Sequence, residues 1–453
     1  MRKVESALKG GILLSVLLFS ITVLYSSSAY GQMNPPEDKT IDAKIQAEII
    51  DSVCQAMNKT YVFPDVAKKM EKLLRNQYKN KKYAELTGLR DFTAKLTEDL
   101  QSISHDKHLR VIYVSDDLIS RMQNDTLTDE AKEKVIEQSR RENYGFKEMK
   151  ILDGNIGYVK FDRFADTENA GLTAIAVMNF LAYTDAIIFD LRDNGGGSPS
   201  MIQLILSYLF KEPEHINTFY VRETDSLQQF WTQEYVDGPK LLDTDIYVLT
   251  SGFTFSAAEE FTYDIKNLKR GTIIGETTGG GAHPNERVAF VGLNVGMSLP
   301  FGRAINPISG TNWEGTGVKP DIEVPRDKAF DTAYSEALKK LKDKTPDKGR
   351  QTQIQWTIDG LNIKLNPVNL EQAAMQKYVG TYGPRTITFR DGGLYYQRED
   401  RPEYALIPMG DNMFMLDGLD YFRLKFILDD GGRVNEVIGL YDDGHSDSNK
   451  RDK

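Results

Sequence analysis

The sequence predicts an α/β protein with a helical domain on its N-terminal side and a small antiparallel β domain on its C-terminal side. Three observations predict it. Residues 40–103 repeat apolar side chains at i, i+3 and i+4, the spacing of amphipathic helices. From Ile156 onward, strand-like runs such as A-I-I-F-D-L and D-I-Y-V-L-T alternate with helix-like runs, as β-α-β crossovers do. Beyond residue 365 the pattern changes to short strands punctuated by Asp391-Gly392-Gly393 and Asp430-Gly431-Gly432, which are hairpin signals.

Residues 1–31 read as a leader. Arg2, Lys3 and Lys9 precede an apolar run, Gly11 to Val23, that is short for a membrane span, and Ala29-Tyr30-Gly31 offers small residues for cleavage. The expectation is an exported bacterial protein, periplasmic or secreted, without a stable membrane span once the leader is removed. A helical domain is expected over 32–103, where Pro64-Asp65 marks one helix start. The α/β core is expected over 104–345, a polar linker over 346–365 and the β domain over 366–453.

The chain of 453 residues carries a formal net charge of −10. Its leader holds a surplus of basic residues, so the remainder is more acidic still. An acidic surface argues against nucleic acid and anionic membranes as partners. Cys54 is the only cysteine, so an intrachain disulfide is excluded, and its place in a helical apolar pattern predicts a core residue. No cofactor or metal motif is visible.

Two turns carry the chemistry. Strand A-I-I-F-D-L runs into D-N-G-G-G, and Ser198-Pro199 then opens a helix. Three consecutive glycines suggest that something needs bare backbone, and amides at a helix N-terminus suit a negative oxygen. The run lacks the spacing and lysine of a phosphate loop, so an oxyanion hole is the chemical alternative to a tight turn. Strand I-Y-V-L likewise ends in T-S-G-F-T-F-S-A-A-E-E-F. Ser256 with Glu259 fits a capping box, yet a strand-to-helix turn also presents a serine hydroxyl beside a free amide. A nucleophilic serine needs a base, and the five histidines are His105, His108, His215, His283 and His445.

In this order and over about residues 100–325, five stretches resemble the tail-specific (C-terminal-processing) serine peptidases. They are D-K-H-L, I-I-F-D-L-R-D-N-G-G-G, T-S-G-F-T-F-S-A-A-E-E-F, I-I-G-E-T-T-G-G-G-A-H-P and W-E-G-T-G-V-K-P-D-I-E-V. The similarity is to the branch of interphotoreceptor retinoid-binding protein and the tricorn core. It implies a core related to the crotonase and Clp peptidase folds. It implies Ser256 as nucleophile, Ala257, Gly195 and Gly196 as oxyanion donors, His108 as base and Glu314 as the acid that orients it. His283 is the second choice of base and His105 the fallback. The family's Ser-Lys dyad places a lysine where this chain has Gly281, so a Ser-His-Glu triad is expected instead. Members with the dyad insert a PDZ module, for which the segment between His108 and Ile156 has no room. The implied substrates are peptides or unfolded polypeptides; a binding protein on a peptidase scaffold and an esterase are the alternatives.

Overall fold

The computed structural model describes residues 38–115 and 129–452, so the expected leader lies outside the described residues. Three helices come first: α1 (Ala43–Thr60), α2 (Pro64–Lys79) and α3 (Leu89–Ser104). Asp42 caps α1 by accepting the Ile45 amide at 2.9 Å, and Pro64 opens α2 as expected. Strand β1 (Arg110–Tyr113) and helix α4 (Asp129–Arg141) follow.

The core continues with β2 (Phe146–Leu152), β3 (Ile156–Phe161), α5 (Thr167–Phe180), β4 (Ala186–Asp190) and α6 (Pro199–Ser207). Next are β5 (His215–Val221), β6 (Ser226–Trp231), β7 (Asp245–Thr250), α7 (Ala257–Asn267) and β8 (Gly271–Gly275). Then come β9 (Asn285–Phe290), β10 (Val295–Pro300), β11 (Gly302–Ile305) and β12 (Ile322–Glu323). Two helices, α8 (Ala329–Lys344) and α9 (Lys348–Leu365), close the core.

The central sheet has the order β12-β8-β7-β4-β3-β2. Its strands pair in parallel except at the edge, where β2 runs antiparallel to β3. Every residue of β4 is buried, which is why A-I-I-F-D carries no alternation. Helices α5, α6 and α7 cover one face through Ala174, Ile202 and Phe261, while Ala333, Leu338 and Ile354 of α8 and α9 cover the other.

Residues expected to form a linker over 346–365 are instead helix α9. Asp347 caps it by accepting the Arg350 amide at 2.6 Å, and Ile354, Ile358 and Leu361 bury one stripe against the sheet. Each buried side chain contributes roughly 2 kcal/mol, enough to outweigh the polar character that suggested a linker. Trp356 on the same helix donates its indole N–H to the Asp420 carbonyl at 2.7 Å, so α9 also anchors the C-terminal domain. That domain is one antiparallel sheet of eight strands in sequence order, from β13 (Gly380–Tyr382) to β20 (Ser446–Lys450).

The N-terminal helices share a core with Val295, Met297 and Leu299 of β10, in a small antiparallel sheet of order β1-β10-β9. Cys54 is buried in that core, and burial pushes its thiol up to about 12. Among the described residues no helix is long and apolar enough to cross a membrane.

Candidate active site

The chemistry-bearing loops gather at the C-terminal edge of the parallel strands, where open α/β sheets place their sites. Strand β4 feeds Arg192–Gly197, β7 feeds Ser251–Ser256, and β8 feeds Glu276–Pro284. The turn between α3 and β1 carries Asp106 and His108, and the connection from β11 to β12 carries Glu314.

Ser256 sits at φ 56° and ψ −122°, outside the region a left-handed cap residue adopts. Such a conformation costs a non-glycine residue on the order of 1–3 kcal/mol and persists only where its surroundings over-determine it. Those surroundings are visible. Ser251 Oγ donates to the Arg192 carbonyl at 2.6 Å, Thr254 Oγ1 to Leu191 at 2.8 Å, and the Phe255 amide to Asn194 at 3.1 Å. Glu259, fully buried, accepts the Ser256 amide at 2.9 Å, the Gly280 amide at 2.6 Å and the Gly281 amide at 2.8 Å. The Thr278 hydroxyl also donates to Glu259. One carboxylate therefore locks the serine turn to the loop after β8. Burial nonetheless holds its pKa above the ordinary glutamate value.

The glycine run abuts the serine, as the bare-backbone reading expected. Gly196 has φ +103°, and a Cβ there would lie 2.7 Å from Ser256 Cβ. Two of the three expected oxyanion donors have other acceptors in this conformation. The Gly195 amide donates to the Asp162 carbonyl at 3.2 Å and the Gly196 amide to Asn194 Oδ1 at 2.9 Å. Both are committed in this conformation, because the same turn must satisfy its own backbone. The Ala257 amide, at the first turn of α7, donates to no group among the described residues.

His108, His283, Glu314 and Asp106 form one polar cluster. His283 Nδ1 lies 2.7 Å from Asp106 Oδ2 and 3.5 Å from Glu314 Oε2. Asp106, with no exposure, also accepts the Tyr61 hydroxyl at 3.3 Å and the His108 amide at 3.0 Å. The His108 ring packs on Phe255, the residue before Ser256, with centroids 4.7 Å apart. Its Nδ1 is buried without a hydrogen-bond partner, and among the described residues no hydrogen bond joins it to Ser256. Burial lowers the His108 pKa to about 4, so the ring is neutral at pH 7. Burial, reinforced by Asp106, raises that of Glu314 to about 7, against the opposing pull of His283. Glu314 Oε2 accepts the Ala282 amide at 2.6 Å and its Oε1 is buried unpartnered.

The structure thus brings His108, His283 and Glu314 together, with Phe255 linking them to Ser256. It does not bring in His105, which is exposed in the left-handed C-cap position of α3. The sequence reading passed over Asp106 and Tyr61, and it read Glu259 only as part of a capping box. For Asp106 the signal was present in D-K-H-L, since a carboxylate two residues before a histidine can accept its amide.

A strained serine on a strand-to-helix turn, beside a buried histidine–carboxylate cluster at the mouth of a parallel sheet, defines the class of serine hydrolases. The model of peptidase family S41 matches residues 155–324, and that of the N-terminal domain of S41 peptidases in eukaryotic IRBP matches 42–145. Together they span more than half of the chain, which belongs to peptidase family S41 and is a serine-type peptidase. Among solved structures, a Parabacteroides merdae protein designated a peptidase aligns over 66% of this chain and 97% of its own, at 18% identity and a TM-score of 0.45. The tricorn protease aligns over 66% of this chain and 37% of its own, at 15% identity and a TM-score of 0.44. The photosystem II D1 C-terminal processing protease aligns over 62% of this chain and 94% of its own, at 14% identity and a TM-score of 0.38.

Proposed function

We propose that this peptidase is exported and cleaves peptides or unfolded polypeptides, with Ser256 as nucleophile, His108 as base and Glu314 as the acid that orients it. The conformation of Ser256 carries the reading. It is the one serine with positive φ among the described residues, and helix capping alone does not require that strain. The leader-like segment at residues 1–31 supports export.

In this mechanism a ring nitrogen of His108 takes the Ser256 proton as Oγ bonds to the scissile carbonyl carbon. The same proton passes to the leaving amine as the C–N bond breaks. Water then repeats the cycle on the acyl-serine. The Ala257 amide stabilises the oxyanion, joined by the amide of Gly195 or Gly196 once it exchanges its present acceptor. His108 must also close on Ser256, a tightening common when substrate binds. A fluorophosphonate is expected to label Ser256, and Ser256→Ala is expected to abolish labelling. Label retained in that variant would refute the nucleophile. Apolar ligand that co-purifies with a wild-type chain refractory to labelling would favour the binding-protein alternative.

A further inference from the structure

A triad needs one carboxylate beside its histidine, whereas this cluster holds two carboxylates and a second imidazole. Asp106, His108 and Glu314 each offer a ligand atom, and these atoms lie within 4.8 Å of one another. His108 is only 9% exposed, and its Nδ1 has no partner; Glu314 Oε1 is buried and unpartnered too. Buried polar atoms are nearly always satisfied, so two orphans in one cluster mark an incomplete coordination set. Asp106 is already oriented as ligating carboxylates are, by the Tyr61 hydroxyl at 3.3 Å, His283 Nδ1 at 2.7 Å and the His108 amide at 3.0 Å.

We infer that Asp106, His108 and Glu314 bind a divalent transition-metal ion, and that the bound ion switches the peptidase off by occupying His108. One imidazole nitrogen with two carboxylate oxygens suits Zn2+ better than Ca2+ or Mg2+, which prefer oxygen alone. Ligand atoms around a tetrahedral zinc lie roughly 3.4 Å apart, given bonds of about 2.1 Å. Against a spacing of up to 4.8 Å, the widest pair must approach by about 1.4 Å at most, a shift of about 1 Å or less for each side chain. A lone pair given to the ion is unavailable for the Ser256 proton, so coordination and catalysis exclude each other. The switching half rests on His108 being the base, as proposed above; the binding half does not.

The test is calorimetric titration of the chelator-treated full chain with ZnCl2, together with diffraction at the zinc absorption edge. Wild type is expected to bind one ion in this cluster. His108→Gln and Glu314→Gln are each expected to weaken binding by about 100-fold or more. Ser256→Ala and His215→Gln, the latter altering a ring stacked on Trp231, are expected to bind as wild type. Fluorophosphonate labelling of wild type is expected to slow at least about 100-fold with zinc bound and to recover on chelation. Absence of binding, affinity unchanged from wild type in both cluster variants, or an anomalous peak elsewhere would overturn the site. Where a cluster variant fails to fold, the peak position in wild type decides alone. Zinc bound in the cluster of a chain that no fluorophosphonate labels would overturn the nucleophile and the switch while leaving the ion site standing. Normal labelling in a chain that takes up no zinc would do the reverse.

Discussion

Gly281→Ala is the substitution whose outcome the geometry fixes most tightly. A Cβ at this position would lie 2.2 Å from Phe255 Cζ, 2.5 Å from Phe255 Cε2 and 2.8 Å from His108 Cε1. Ordinary carbon contacts fall at about 3.5–4.0 Å, so the overlap is about 1.3–1.8 Å at Phe255 Cζ and about 0.7–1.2 Å at His108 Cε1. The backbone at 281 cannot recede. Its amide donates to Glu259 at 2.8 Å and its carbonyl accepts the Trp313 indole at 2.8 Å. The rings must therefore move, and both belong to the proposed machinery: Phe255 is bonded to Ser256, and His108 is the base. Overpacking of this kind costs about 1–3 kcal/mol, and a 1 Å misplacement of a reacting group costs about 100-fold in rate. The assay is the second-order rate of fluorophosphonate labelling, read beside urea unfolding. Labelling is expected to fall about 100-fold, and stability by the overpacking cost. Phe255→Leu in the same chain should return part of both losses, a coupling measured by the double-mutant cycle. Labelling within twofold of wild type, at unchanged stability, would refute the steric argument. The same crowding leaves no room for the lysine of a Ser-Lys dyad at this position.

Ser256→Gly is expected to raise unfolding free energy in urea by about 1 kcal/mol while abolishing labelling, because glycine adopts the φ of 56° freely. Glu259→Ala leaves the Ser256, Gly280 and Gly281 amides without their buried acceptor. It is expected to cost about 3–5 kcal/mol in urea unfolding, while Glu259→Gln costs less. His108 and Glu314 make opposite contributions to the pH dependence of stability. His108, lowered by burial from about 6.5 to about 4, takes up its proton more readily when unfolded, so its share of stability falls as pH drops through that window. Glu314, raised by burial from about 4.5 to about 7, takes it up more readily when folded, so its share grows as pH drops from 7 to 4.5. Each amounts to about 3 kcal/mol, and in chelator-treated wild type they nearly cancel between pH 4.5 and 6.5. His108→Gln should therefore gain stability on acidification and Glu314→Gln should lose it; equal slopes in urea titrations of the two would contradict the pKa directions.

The parallel core was legible because burial on both faces leaves a plain mark: A-I-I-F-D has no polar residue until its end, and β4 is buried throughout. The helix at 348–365 was not, because its buried stripe rests on Ile354, Ile358 and Leu361 among glutamines, threonines and lysines. Its apolar signal is too thin to see until α8 and the sheet supply the surface it covers. At the site, local spacing identified the residues whose role is set by their own turn: Ser256 at its strand-to-helix junction, and Gly196 where only bare backbone clears Ser256 Cβ.

What spacing could not show is set by partners far away in the chain. Asp106 became a buried anchor only because Tyr61 from the N-terminal helices and His283 from the loop after β8 converge on it. Glu259 fits a local capping box, yet most of its bonds reach forward to Thr278, Gly280 and Gly281. Whether the glycine amides point at an oxyanion or at Asp162 and Asn194 is likewise a matter of a few torsions that no motif encodes. The same long-range convergence that buries His108 beside two carboxylates keeps its ring neutral at pH 7 and brings together the groups of the proposed ion site.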